Sequence, residues 1–431
     1  MSNKKNILVL TSKIPYPLND GGSLSQFVFT DALQAQYNFT YILQARNENE
    51  NQAITQLKKL WRNVNIITVK AYKKTAPKKN TKERSFIQKI KDFIVVSYRK
   101  KKKINKPISD RAKEYINAQI SSPYSFIYPA HDQYVNAVQN YLAKEKVDLV
   151  QIEHLPFMNL IDCLPDELNT LYVHHELQFE RYQSLPEEHL NKSYKNYIVN
   201  LVRDMETIFL NKFKNIITFS DIDQKKLEEI LNSKVNTYTS PFPVLEKNFH
   251  EIHKGEFSPE KMIFQGSENH HPNFDALDWY SRKIAPLLKA HTDWKLYVTG
   301  KWSEKNKEYL NRNEDFIFTG FLDDLEAFSK NSIMLVPVRI GSGIRTKILY
   351  AMAQGLPVIS TAKGIEGINV KNEKEALITN APEKFAEYVL ELIKNREKSE
   401  EIAINGNIFV KNNYFYKKLI DKRQEILQTI L

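Results

Sequence analysis

Short continuous runs of apolar residues alternate with longer stretches of helical period along almost the whole chain. The runs Asn6 to Leu10, Phe39 to Leu43, Val64 to Val69, Asp148 to Ile152, Thr170 to Val173 and Asn215 to Phe219 are too short for helices and rich in Ile, Val and Leu. That pattern predicts strands buried on both faces of a parallel sheet. A second series comes at Met262 to Phe264, Leu296 to Val298, Phe316 to Phe318, Ile333 to Val336, Val358 to Ser360 and Ala376 to Ile378. Within it, Leu277, Tyr280, Ile284, Leu287 and Leu288 fall at helical spacing. Strand and helix signals in alternation predict an α/β fold class with a parallel sheet in each half. Between the halves, Ser240 to Pro259 has no sustained period and carries Pro241, Pro243 and Pro259, which reads as a linker. The division is therefore 1–240, a linker at 241–258, a second domain at 259–410, and an amphipathic helix at 411–431 long enough to pack across the domain boundary.

The stretch from Val336 to Gly367 holds a buried strand, a glycine loop, a short helix and a second buried strand, the make-up of one βαβ unit. Gly341, Ser342 and Gly343 form the loop, and a helix starting there aims free N–H groups and its positive dipole end at whatever lies above. Arg345 and Lys347 in the first turn oppose that dipole, so an external anion is the simplest compensation. The alternative is an ordinary crossover with solvated charges. After the first strand, a turn-rich loop delivers Gly21 and Gly22 to a helix start, at the strand end where such sheets bind ligands.

Composition narrows the class. A chain of 431 residues with 42% hydrophobic residues builds more than one core, and 26% charged residues fit a water-soluble protein. One cysteine, Cys163, allows no internal disulfide, and neither a signal-peptide core nor a run of membrane-spanning length occurs, which predicts a cytoplasmic protein. Charge is uneven: from Lys70 to Lys106 there are 13 Lys and 2 Arg against Glu83 and Asp92, more than the entire net charge of +11. With Phe86, Ile87, Phe93, Ile94, Val95 and Val96 among the cations, this segment suits either attachment to an anionic membrane surface or a solvated loop. Nucleic acid is not expected, because no recognised motif accompanies the charge.

Phe264-Gln265-Gly266-Ser267 followed by Pro272-Asn273, Val298-Thr299-Gly300, Phe318-Thr319-Gly320-Phe321 with Asp323, and Gly341-Ser342-Gly343-Ile344-Arg345 leading to Ala351-Met352-Ala353 stand in a specific order and spacing. In these motifs the sequence resembles the family 4 glycosyltransferases of the GT-B class, nearest to bacterial enzymes that build surface glycans. The resemblance implies two Rossmann-like domains facing across a cleft, with the C-terminal helix crossing back to the N-terminal domain. It also implies transfer of a sugar from a nucleotide sugar to a glycan or lipid-linked acceptor in surface polysaccharide synthesis, with retention of anomeric configuration and no metal or other cofactor. The donor diphosphate would meet Gly341, Ser342, Gly343, Arg345 and Lys347, with Gly266 and Ser267 as a second contact. Relatives carry a glutamate before Ala-Met-Ala that holds the nucleotide ribose, where this chain has Tyr350, and a second glutamate two helical turns earlier, where it has only the glycine loop. A degenerate sugar-nucleotide binder or scaffold, and a nucleotide-sugar epimerase, are the other readings of the same fold.

In the N-terminal half, Glu153 and His154 end a strand, and alternation of side chains predicts that at most one faces the cleft. The same rule argues against His174, His175 and Glu176 as a metal cluster. His174 matches the place where relatives show a histidine after a strand, and is the candidate for contact with the donor sugar.

Overall fold

The computed structural model describes residues 4–18, 20–71, 130–186 and 190–431. The basic segment 70–106 therefore lies outside the described residues, apart from Lys70 and Ala71. Seven parallel strands form the first sheet: β1 (Asn6–Thr11), β2 (Asn38–Ala45), β3 (Asn65–Lys70), β4 (Leu149–Glu153), β5 (Thr170–His174), β6 (Asn215–Thr218) and β7 (Asn236–Thr239). Their order is β3-β2-β1-β4-β5-β6-β7. The second sheet holds β8 (Lys261–Gln265), β9 (Leu296–Thr299), β10 (Phe316–Gly320), β11 (Ser332–Val336), β12 (Val358–Ser360) and β13 (Leu377–Ile378), in the order β10-β9-β8-β11-β12-β13. Both orders are doubly wound, and each reverses direction between its first and fourth strands. Such a reversal leaves a crevice beyond the carboxyl ends of those strands.

Every strand read from an apolar run is present. β7 had no such signal: Asn-Thr-Tyr-Thr is an edge strand with little buried surface, so it needs no apolar run. The helix read through Leu277 to Leu288 is interrupted by one π-helical turn at Tyr280–Ile284. That wider turn shifts the phase of the last helical turn, and Leu287 ends up 38% exposed while Tyr280, Ile284 and Leu288 stay buried.

Helix α1 (Gly21–Leu33) follows β1 and is capped by Asp20, whose side chain accepts from the Ser23 N–H. Helix α2 (Thr346–Ala353) follows the glycine loop. The chain ends in two helices, α3 (Arg396–Tyr414) and α4 (Tyr416–Ile430), broken at Phe415, where the backbone is extended. The crossing segment therefore begins at Tyr416, later than the periodicity suggested. There the chain passes beside the linker: Val244 N–H donates to the Tyr414 carbonyl (2.8 Å), and Tyr416 N–H donates to the Val244 carbonyl (3.0 Å). Helix α4 then packs on α1 of the first domain. Asn169 Nδ2 fixes its end by donating to the Ile430 carbonyl (2.6 Å). Among the described residues, no helix is long and apolar enough to cross a membrane.

Candidate active site between two switch points

The crevices of the two sheets face each other and merge into one cleft of about 430 Å³. The second domain contributes Gln265 at the end of β8, Gly266 just after it, and Ser342, Arg345 and Lys347 after β11. Thr346 is the first helical residue and Arg345 its N-cap, so Arg345 stands just outside the turn in which the sequence placed it. Its Nη1 donates to the Gly343 carbonyl, while the buried Nη2 has no hydrogen-bond partner. Burial pulls the Arg345 pKa down, and Glu366, Glu176 and Asp223 only partly offset this. Lys347 Nζ donates to the Gln265 carbonyl (2.8 Å) and to Asn273 Oδ1 (3.0 Å), and lies 4.3 Å from the centre of the Phe264 ring. Burial, then the charge of Arg345, pushes its pKa down to about 7. Two under-compensated cations beside a helix start form a site built for an anion.

The glycine loop also closes against the first domain. Gly343 has φ +74°, and a Cβ there would stand 2.6 Å from the His175 carbonyl oxygen, so only glycine fits. Gly341 N–H donates to Ser184 Oγ (2.8 Å), and Ser342 Oγ accepts from the Leu177 N–H (3.0 Å). Lys226 reaches Glu180 (2.6 Å) and Glu366 (3.0 Å), and Lys363 pairs with Glu366 (2.8 Å), which ties the domains beside the cleft. Ser267 spends its hydroxyl on the Lys301 N–H (3.0 Å). Tyr350 does not line the cleft. It packs edge-on against Phe242, which does.

The first domain contributes Lys13, Gly21, Gly22, His154 and His175. A Cβ on Gly22 would come within 2.6 Å of His154 Cε1, so the missing side chain lets α1 approach the histidine. As alternation predicts, one of the pair lines the cleft: His154 does, at φ +67°, and Glu153 does not. That left-handed turn sends its side chain into the cleft, and Glu153, also buried, belongs to the same cluster. His154 and His175 stack with ring centres 4.1 Å apart. His175 Nε2 lies 3.0 Å from Glu153 Oε2, and Glu153 Oε1 accepts from the Gln151 amide (2.6 Å). Gln26 Nε2 donates to His154 Nε2 at 2.6 Å, and burial, then His175 and Lys13, pushes the His154 pKa well down, leaving the ring neutral. Donor atoms of Glu153, His154 and His175 lie within 4.8 Å of one another. In this arrangement His154 Nε2 is taken by the Gln26 amide and His175 Nε2 faces Glu153.

His174 is not in this group. It is buried beside Tyr172, 3.7 Å from Glu206, whose carboxylate accepts the N–H groups of Gln178 and Phe179. It does not line the cleft, and the cleft histidine after this strand is His175, one residue on. Gln26 and Lys13 were not singled out in the sequence, although Gln26 is a polar residue on the buried face of an apolar helix, one turn past Gly22.

Residues 259–395 match the model of the family "Glycosyl transferases group 1". The second domain is a group 1 glycosyltransferase domain. The likeness in fold extends over the whole chain: HepE from Anabaena, solved with UDP and glucose, superposes with a TM-score of 0.60 at 13% identity, covering 99% of this chain and 100% of that one. Sucrose-phosphate synthase from Thermosynechococcus elongatus superposes at 0.67 with 12% identity, over 99% of each chain. In sequence, an uncharacterized 44.6 kDa protein of the cps region of Klebsiella pneumoniae is 30% identical over 168 residues. That match spans 37% of this chain and 43% of the relative's length.

Proposed function

We propose that this chain transfers a sugar from a nucleotide-sugar donor to a glycan or lipid-linked acceptor in the synthesis of a surface polysaccharide, with retention of configuration and without a metal. The observation that carries the reading is the unpartnered Nη2 of Arg345 beside the half-neutralised Lys347 at the start of α2. A donor diphosphate satisfies both. When the sugar–phosphate bond breaks, the electron pair stays on the diphosphate, and Arg345, Lys347 and the free N–H groups of α2 stabilise the added charge. The acceptor hydroxyl forms the new bond at the anomeric carbon, and its proton passes to the departing phosphate oxygen. Neutral His154 holds a sugar hydroxyl from the opposite wall. HepE and its ligands favour a UDP-sugar donor. A cps-region relative and the similar fold of the lipopolysaccharide outer core galactosyltransferase WaaB (TM-score 0.59) favour a surface glycan. The basic segment 70–106 would hold the enzyme to anionic lipid; co-sedimentation with anionic but not neutral vesicles, lost on deleting the segment, tests this.

A panel of nucleotide sugars, read by thermal shift and then by transfer in the presence of EDTA, tests the main reading. Selective stabilisation by one donor, with transfer and retained configuration by NMR, supports it. The missing glutamate pair, with Ser342 already engaged by Leu177, favours a second reading as a sugar-nucleotide-binding scaffold. Selective binding with neither transfer nor hydrolysis would support that reading instead.

A further inference from the structure

Next to the cleft, and sharing Phe219 with it, lies a second cavity of about 10 Å³, lined among others by Gln26, Gln151, Glu153 and Arg423. Arg423 comes from α4, the last helix of the chain, yet it is 3% exposed inside the first domain. Its Nε donates to Ser240 Oγ (2.8 Å), and its guanidinium lies 4.0 Å from the centre of the Phe29 ring. Its Nη2 has no hydrogen-bond partner, and neither does Gln26 Oε1 in the same cavity wall. Neither diphosphate binding nor bond cleavage calls on this arginine.

We infer that Arg423 is a positioning residue of the active site: it balances the buried charge of Glu153 and so fixes the ring of His175, and the stacked His154, that face the donor. Glu153 is 2% exposed, and its hydrogen-bond partners, Gln151 and His175, are not fixed cations. A buried carboxylate without a cation is costly and takes up a proton more readily. Arg423 lines the same cavity and supplies that cation; Glu153 in turn favours its charged form against burial. An ionised Glu153 only accepts, so the proton between it and His175 sits on Nε2 and leaves Nδ1 bare. A protonated Glu153 would instead donate to Nε2, and the neutral ring would carry its proton on Nδ1, the opposite tautomer. The other charged or titratable groups around the pair are Lys13 after β1, Asp20 before α1, Tyr41 on β2, His154 after β4, Tyr172 on β5, Glu176 after β5, and His270, Arg345 and Lys347 across the cleft. Through Arg423, the returning helix completes the wall opposite the glycosyltransferase domain.

The consequence for turnover rests on the transferase reading, whereas the consequence for the histidine ring does not. Nitrogen-15 NMR of labelled histidines in the full-length protein reports the tautomer directly, in the parent, Arg423→Lys and Arg423→Gln. His175 should show one Nε2–H tautomer in the parent and in Arg423→Lys, and a mixture in Arg423→Gln. With the donor identified, Arg423→Gln should lose about tenfold in kcat, the worth of one well-placed hydrogen bond, with donor KM nearly unchanged and an altered pH profile, and Arg423→Lys should recover most of it. A folded Arg423→Gln with the parent's tautomer and pH profile would overturn the inference. Should that variant not fold, Ser240→Ala releases the Arg423 Nε contact; a partial tautomer change there supports the inference, and none overturns it. A parent inactive on every donor but showing the expected tautomers would sink the transferase reading alone.

Discussion

Arg345 and Lys347 stand two positions apart and face the cleft from one loop and one helix start, whereas His154 and His175 reach the opposite wall from the ends of two strands and lean on Glu153, next to His154, and on Gln26 and Arg423 from two other parts of the chain. The first wall concentrates positive charge, and the second is held neutral at His154 by burial. On the proposed function, charge gathers where a leaving diphosphate needs it, and the uncharged ring sits where a sugar hydroxyl needs a partner. The two walls should therefore separate in experiment, one governing affinity and the other turnover.

The largest expected effect is on the charged wall. Arg345→Ala and Lys347→Ala should each weaken nucleoside diphosphate binding by about 1.5 to 3 kcal/mol, as for a lost charge-assisted hydrogen bond. Calorimetry checks this, and unchanged affinity in both variants would break the comparison. On the neutral wall, His154→Ala should lower kcat by about tenfold, the worth of a hydrogen bond to the sugar, while diphosphate affinity stays near the parent's. Equal losses in both quantities would mean that the walls do not divide the work.

Proton uptake sharpens the contrast further. The Lys347 pKa is about 7 in the free protein, and a bound diphosphate raises it. Below pH 7 the lysine is charged in both states and affinity is flat. Above pH 7 binding must take up a proton, so affinity for a nucleotide sugar should fall, by at most about tenfold per pH unit. A nucleotide sugar is the right ligand because its diphosphate has no group that titrates in this range. Lys347→Met should abolish the slope, and His154→Ala should leave it intact. The smallest effect concerns the link between the walls. A double-mutant cycle on Lys226 and Glu366 should give about 0.2 to 1 kcal/mol, weakening with salt, as expected for a partly exposed pair.

Legibility in the sequence followed the same division. Both sheets were readable because parallel strands buried on two faces are written as continuous apolar runs, and β7 was missed because an edge strand needs none. The glycine loop with Arg345 and Lys347 was readable because its parts are neighbours in the chain. The histidine wall was not. Alternation allowed one of Glu153 and His154 at the cleft without saying which, and nothing local distinguishes His174, beside Glu206, from His175, beside Glu153. Arg423 did leave a trace, as a cation among Leu419, Ile426 and Leu427 on the buried stripe of the last helix. Its target was invisible, because Glu153 is brought to it only by the fold.

The hydrogen bonds of Val244 to Tyr414 and Tyr416 have a mechanical consequence. Halves joined by one strand of chain can both bend and swivel, but two strands fastened side by side act like a door hung on two pins. Swivelling is suppressed and bending remains. A hinge of that kind would return the carbonyl of His175 to the same gap over Gly343 after any bending, so alignment of the two walls is set by the hinge and not by a ligand.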